Sequence, residues 1–326
     1  MNRTVDVADL VRQAREGSPR AVARLVSLVE DASPALRQVA ATLAPLTGHA
    51  LVIGLTGPPG VGKSTTTTVL VRALRARGDR VGVLAVDPSS PFSGGALLGD
   101  RVRMQEHATD HDVFIRSMAT RGHLGGLAWA TPQAVRVLDG AGFDDVLVET
   151  VGVGQSEVEI AGLADVTVVL LAPGMGDGIQ AAKAGILEVG DIFVVNKADR
   201  EGAQGTVRDL RHMISLGASQ GLRTPGAPAS WRPPVLTTVA STGQGVEELL
   251  AQIDRYLDWA ADSGVLRQRR LRRAEREIEA IAVTALRERI GHLSDGRRLA
   301  ALAAAVVDGG LDPYRAADDL LAALTT

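Results

Sequence analysis

Apolar positions along this chain fall into three regimes, and each predicts a different kind of element. Up to residue 48 they recur every three or four residues, as in AVARLVSLVED and ALRQVAATLAPL, the spacing of amphipathic helices. Ser18-Pro19 and Ser33-Pro34 each pair an N-cap residue with proline at a first helical position, so both predict helix starts. Leu46-Thr47-Gly48 closes this stretch, and a packing role is expected for it. From 49 to 259, short continuous apolar runs alternate with helical stretches. The runs are ALVIGLTG, RVGVLAVD, DVFIRS, DDVLVETVG, VTVVLLAPG, DIFVVNKAD and PPVLTTVAS. Most are β-branched and unbroken, as in strands buried on both faces. TTTTVLVRALRARG and GVEELLAQIDRYLDWA supply crossover helices, so the fold class predicted is α/β with a doubly wound, mostly parallel sheet. Ligands are then expected at the carboxyl ends of the strands.

The last regime, 260–326, is helical again. LRQRRLRRAEREIEAIAVTALRERIG carries a stripe of Leu271, Ile278, Ile281, Ala285 and Ile290. RRLAALAAAVVDGG follows, and Asp312-Pro313 opens a final helix. These stripes are expected to pack on a partner subunit or back on the central domain. The arginines at 267, 269, 270, 272, 273 and 276 are followed by Glu275, Glu277 and Glu279 at pairing distance, which predicts a solvated helix face rather than an RNA site. The expected division is an N-terminal helical segment (1–48), a central domain (49–259) and a C-terminal helical arm (260–326).

Composition narrows the function classes. With 45% hydrophobic and 22% charged residues, the chain reads as a globular protein. No apolar run approaches twenty residues, and the N-terminus lacks a signal-peptide core, so no membrane and a cytoplasmic location are expected. The absence of cysteine removes thiolate metal sites, and a net charge of −3 gives no general reason to bind nucleic acid. Only three of the 35 basic residues are lysine: Lys63, Lys183 and Lys197. In so arginine-rich a chain, lysine hints at places where a compact ammonium is wanted.

Two of those lysines fall in nucleotide motifs. Gly57-Pro58-Pro59-Gly60-Val61-Gly62-Lys63-Ser64 fits G-x-x-x-x-G-K-[ST], between the strand LVIGLT and a helix. The glycines let backbone N–H groups turn toward phosphates, and the helix N-terminus adds its dipole. Lys63 is expected to reach the β- and γ-phosphates, Ser64 to ligate Mg²⁺, and Thr65 to complete the phosphate-binding set. Downstream, DIFVVNKAD ends in Asn196-Lys197-x-Asp199, as in GTPases. A carboxylate at Asp199 can accept from both the ring N1–H and the exocyclic amine of guanine, a donor pair that adenine lacks. Asn196 is expected to brace the loop and the Lys197 stem to cover the base. Between the motifs, Asp87 ends a strand before DPSSPFSGGALLGDR, and Glu149-Thr150-Val151-Gly152 ends another before Gln155. Glu149 can hold the water shell of Mg²⁺, and Gly152 can donate its N–H to the γ-phosphate.

These motifs resemble the MeaB/ArgK family of GTPases. The resemblance rests on GLTGPPGVGKST, LAVDPSSPFSGGALLGDRVRM, FIRSMATRGHLGGLA, VETVGVGQSE, APGMGDGIQAAKAGILE, VVNKAD and RPPVLTTVA with TGQGVEEL, nearly the whole chain. It implies a P-loop G domain of the signal-recognition/metallochaperone branch, a homodimer formed by the C-terminal helices, and a chaperone for an adenosylcobalamin-dependent acyl-CoA mutase such as methylmalonyl-CoA mutase. Asp87 and Asp100 would assist Mg²⁺ in switch I, with Glu149 and Gln155 in switch II. The implied catalytic set is Lys63, Asp87, Glu149 and Gln155. Asp177, Gln180 and Lys183, in a glycine-rich segment, would report the state of bound GTP or GDP to the mutase. Val239-Ala240 stands where relatives have Ser-Ala, and the Ala240 N–H is expected to meet guanine O6.

The mechanism expected is phosphoryl transfer to water by positioning and electrostatics. Arg116 and Arg121 are candidate helpers, or structural ion-pairing arginines. The rivals are a nickel metallochaperone, for which His107 and His111 alone supply too few ligands, and a GTP-dependent scaffold with incidental hydrolysis.

Overall fold

The structure is a computed structural model that describes residues 6–87, 107, 109–119, 130–150, 156–174, 186–220, 231–294 and 297–322. Every predicted strand is present: β1 (Leu51–Thr56), β2 (Val81–Asp87), β3 (Val113–Ala119), β4 (Asp145–Thr150), β5 (Val166–Leu171), β6 (Ile192–Val195) and β7 (Val235–Thr237). They form one sheet in the order β3-β2-β4-β1-β5-β6-β7, with every neighbouring pair parallel. The register sets Leu55 beside Glu149 and Val195 beside Thr237, so the carboxyl ends of β1, β4, β6 and β7 share one edge. The order changes direction around β1, where a doubly wound sheet opens a crevice.

Alternation along each strand sends side chains to two buried faces. One face carries Ile53, Leu55, Val168 and Leu170 against α4 (Lys63–Arg77) and a later helix, Val246–Asp262. The other carries Val52, Leu84, Val146 and Val148, and here the N-terminal helices α1 (Val7–Arg15), α2 (Pro19–Glu30) and α3 (Leu36–Leu43) share a core with α5 (Ala130–Gly140) and α6 (Ser156–Leu163). Val169, Leu171, Phe193 and Val195 continue that face. After α7 (Ile186–Val189), they meet Ala203, Val207 and Leu210 of α8 (Ala203–Gln220). The helix Val246–Asp262 is α9. Burial on both faces is why these strands read as unbroken apolar runs.

The two serine-proline starts behave differently. Ser18 caps α2 by accepting from the Ala21 N–H, as predicted. At Ser33-Pro34 the hydroxyl accepts from Ala35 N at 3.3 Å and the Ser33 carbonyl from Leu36 N at 2.8 Å, so a turn comes first and α3 begins at Leu36.

Two arginines depart from the solvated helix face predicted for them. Arg269 and Arg270, in the second turn of α10 (Val265–Ser294), reach the amino-terminal edge of the sheet. Arg269 donates to both Asp191 oxygens at 2.6 and 2.7 Å, and Arg270 to both Asp165 oxygens at 2.9 and 3.2 Å. Each aspartate also accepts a backbone N–H from the neighbouring strand, Asp165 from Val52 and Asp191 from Thr167. Charge-assisted, two-pronged bonds of this kind fix geometry as well as energy.

The chain divides into two compact units, one up to Arg270 and one from Leu271 to Thr326. In the second, α11 (Arg297–Val307) packs on α12 (Pro313–Ala322), whose start is capped by Asp312 accepting from Tyr314 N and Arg315 N at 3.0 Å. Of the stripe predicted on α10, Leu271, Ile278 and Ile281 are exposed, Ile278 to 67%. Among the described residues, no helix is long and apolar enough to cross a membrane.

One buried acid makes the fold pH-sensitive. Burial, reinforced by Asp79 and Asp144 and opposed by Arg77, raises the Asp145 carboxyl from 3.8 to about 7. A raised acid holds its proton more tightly when folded, so its favourable effect is complete below the unfolded value and is lost as pH climbs toward about 7. Asp145→Asn should therefore stabilise the protein by up to roughly 4 kcal/mol at pH 8 and by progressively less toward pH 4. Urea unfolding across that range measures this; an equal effect at both ends would contradict it.

Candidate GTPase site

The loop between β1 and α4 is shaped by what surrounds it. Gly57 has φ 140°, and a Cβ there would sit 2.1 Å from the Leu170 carbonyl oxygen. Gly62 precedes α4 at φ 97°, where a Cβ would lie 2.4 Å from Asn196 Nδ2. No side chain fits at either place, so the motif's outer glycines follow from crowding as well as from backbone freedom. Lys63, only 7% exposed, donates from Nζ to Gly57 O at 2.7 Å and Pro58 O at 2.9 Å. The ammonium is therefore held within the loop, beside the positive end of the α4 dipole.

Ser64, one residue into α4, faces the end of β4. Its hydroxyl donates to Glu149 Oε1 at 2.7 Å. The other oxygen, Oε2, accepts from Thr67 Oγ1 at 2.8 Å. Next to it, the buried hydroxyls of Thr56 and Thr150 meet at 3.0 Å and tie the ends of β1 and β4 together. Asp87 ends β2, whose register sets Val86 beside Thr150, so its backbone lies at the same corner. A serine hydroxyl and a carboxylate this close form an all-oxygen donor set of the kind that suits Mg²⁺, which takes few protein ligands and keeps several waters.

The base-reading segment is organised by Asn196, 2% exposed at the end of β6. Its Nδ2 donates to Val61 O at 2.8 Å, and its Oδ1 accepts from Thr238 Oγ1 at 3.1 Å and Ala240 N at 3.0 Å. One amide thus links the phosphate loop to the loop after β7. Lys197 takes a left-handed φ of 57°, uncommon without glycine, and its Nζ donates to Gly60 O at 2.6 Å. The Lys197 stem therefore spans from one loop to the other. Asp199 follows on the exposed side of the same turn.

Several predicted residues thus converge: Lys63, Ser64 and Glu149 at one corner, and Asn196, Lys197 and Ala240 at the other. Asp100, Gly152, Gln155, Asp177, Gln180, Lys183 and Arg121 lie outside the described residues. Ala240 differs from expectation, because the N–H assigned to guanine O6 donates to Asn196 and the Val239 N–H to Gln244 O. Arg116 is not at this edge. It reaches from β3 to α2, where it pairs with Glu30 and donates to Ser27 Oγ. His107, buried, lies 3.2 Å from Thr68 O. Sequence reading missed Thr67, Thr56, Thr150 and Thr238. Thr67 alone left a signal, standing three residues after Ser64 and so on the same helical face.

Comparison with known proteins agrees with this geometry. The family described as "Methylmalonyl Co-A mutase-associated GTPase MeaB" matches residues 22–294. A Pyrococcus abyssi protein assigned as a GTPase is 46% identical over 97% of this chain and 96% of its own length. GTPase ArgK of Escherichia coli is 36% identical over 88% of this chain and 86% of its own. The mouse protein named "Methylmalonic aciduria type A homolog, mitochondrial" is 38% identical over 83% of this chain and 65% of its own. Among solved structures, one described as a LAO/AO transport system kinase superposes with a TM-score of 0.68 at 28% identity, covering 100% of both chains. A complete phosphate loop, a GTPase base motif braced to it, and relatives alike over most of their length all agree: this chain belongs to the MeaB family of P-loop GTPases.

Proposed function

We propose that this GTPase acts as a chaperone of an adenosylcobalamin-dependent acyl-CoA mutase, most directly methylmalonyl-CoA mutase. The observation that carries this reading is the match of residues 22–294 to a family described by its association with that mutase. The nucleotide state would gate loading of intact cofactor onto the mutase and removal of the damaged form. The protein would work in the cytoplasm as a homodimer, using the arm 260–326, whose exposed apolar stripe on α10 suits a partner helix. The segment 1–48 would support the G domain of 49–259.

The chemistry proposed for the site is GTP hydrolysis by positioning. Residues 57–65 would cradle the phosphates, with Lys63 moving from its loop carbonyls to the β- and γ-phosphates. Ser64 and Glu149, aided by Asp87 and Asp100, would hold Mg²⁺, which supplies charge neutralisation between the phosphate oxygens. Gly152 would donate to the γ-phosphate and Gln155 would orient the attacking water. Asn196 would hold the base loop and Asp199 would read guanine. With Ala240 N–H engaged by Asn196 Oδ1 at 3.0 Å, that loop would meet the base on a pre-braced backbone.

Two measurements test this. Asp199→Ala should lower the preference for GTP over ATP by about a hundredfold, the loss of two hydrogen bonds to a charged acceptor. Full retention of preference would mean that another residue reads the base. GTP hydrolysis by the purified protein should rise about tenfold or more with a holo methylmalonyl-CoA mutase, as when a partner completes a GTPase site, and Lys183→Ala should abolish the rise. No rise with that mutase would leave the GTPase intact and the partner wrongly named.

A further inference from the structure

The contact that distinguishes the Glu149 corner is its second hydroxyl. Glu149 is 5% exposed, and each of its carboxylate oxygens meets a different residue of α4: Oε1 meets Ser64 at 2.7 Å and Oε2 meets Thr67 at 2.8 Å. Thr67 is fully buried, so water cannot substitute for its hydroxyl. Its Oγ1 also lies 3.1 Å from the Lys63 carbonyl one turn back. A hydroxyl has one proton, and the shorter contact to a carboxylate is the stronger, so Glu149 receives it. The branched Thr67 side chain has few rotamers within a helix, which makes it a stiff support for the flexible glutamate.

We propose that Thr67 is a positioning residue for the cation site, holding Oε2 of Glu149 so that Oε1 stays directed at Ser64. The inference rests on the Mg²⁺ reading given under the proposed function. Without the Thr67 hydroxyl, Oε2 loses this contact and the carboxylate is directed at Ser64 less firmly. The Mg²⁺ donors would then have to be assembled at the moment of binding instead of waiting in place. The Thr56–Thr150 pair fixes the backbone beside Glu149, so the loss would fall on the side chain and not on the strand. Outer partners of metal ligands typically alter metal affinity by about 10- to 100-fold.

The test is Mg²⁺ linkage to GDP binding, followed with a fluorescent GDP analogue from EDTA through a Mg²⁺ titration. Wild type, Thr67→Val, Thr67→Ser and Thr67→Ala are compared. In the wild type, Mg²⁺ should tighten GDP. Thr67→Val, which keeps the shape and removes the hydroxyl, should raise the half-saturating Mg²⁺ concentration about tenfold, and Thr67→Ser should return it near wild type. Should the valine variant fail to fold, Ser against Ala at the same position isolates the hydroxyl: a tenfold gap supports the role, and equal values overturn it. Wild-type linkage with a valine midpoint within about twofold of wild type would overturn the role of Thr67 alone. No linkage in the wild type would overturn the Mg²⁺ reading and this inference with it.

Discussion

The site depends most on one buried amide. Asn196 donates to the Val61 carbonyl in the phosphate loop and accepts from Thr238 and Ala240 in the loop after β7. Its own position is fixed because its N–H bonds Leu171 O on β5. The cost of leaving a buried amide partly unsatisfied makes this arrangement all-or-none. Gly62 is obligatory for the same reason, since the Asn196 side chain occupies the space a Cβ would need. Phosphate loop and base loop are therefore one assembly.

A second assembly sits across the loop from it, where α4 and β4 meet through Glu149. The two share α4: its start carries Lys63 and Ser64, and its next turn carries Thr67. A helix whose first turns touch the loop, the acid and the strand ends can transmit a change at one to the others. At the opposite edge of the sheet, Arg269 and Arg270 hold the aspartates just ahead of β6 and β5. β6, which presents the base motif, is thus anchored at one end beside β5 and functional at the other, which is how a parallel sheet gives loops a rigid base.

Much of this was legible in the sequence, for local reasons. The strands declared themselves because burial on both faces leaves continuous β-branched runs. The phosphate loop and N-K-x-D declared themselves because their chemistry is confined to a few adjacent residues. What stayed hidden is what depends on distant pairing. Arg269 and Arg270 look like a solvated helix face until Asp191 and Asp165, 78 and 105 residues earlier, come to meet them. Arg116 reads as a candidate for the site until Glu30, 86 residues away, claims it. The Ala240 N–H was expected to face the base, and only the fold shows that it donates to Asn196 Oδ1. At Ser33-Pro34, a local signal gave a turn where a helix start was expected, with the Ser33 carbonyl accepting from Leu36, three residues on.

The most direct test of a single pre-braced site is the affinity of Asn196→Ala for GDP, measured by calorimetry on protein that still unfolds cooperatively. If the amide joins the two loops, GDP affinity should fall by about a hundredfold or more, since contacts to phosphate and base are weakened together. A GDP affinity within about threefold of wild type would show that the two loops hold the nucleotide independently, and would contradict the central role given to Asn196.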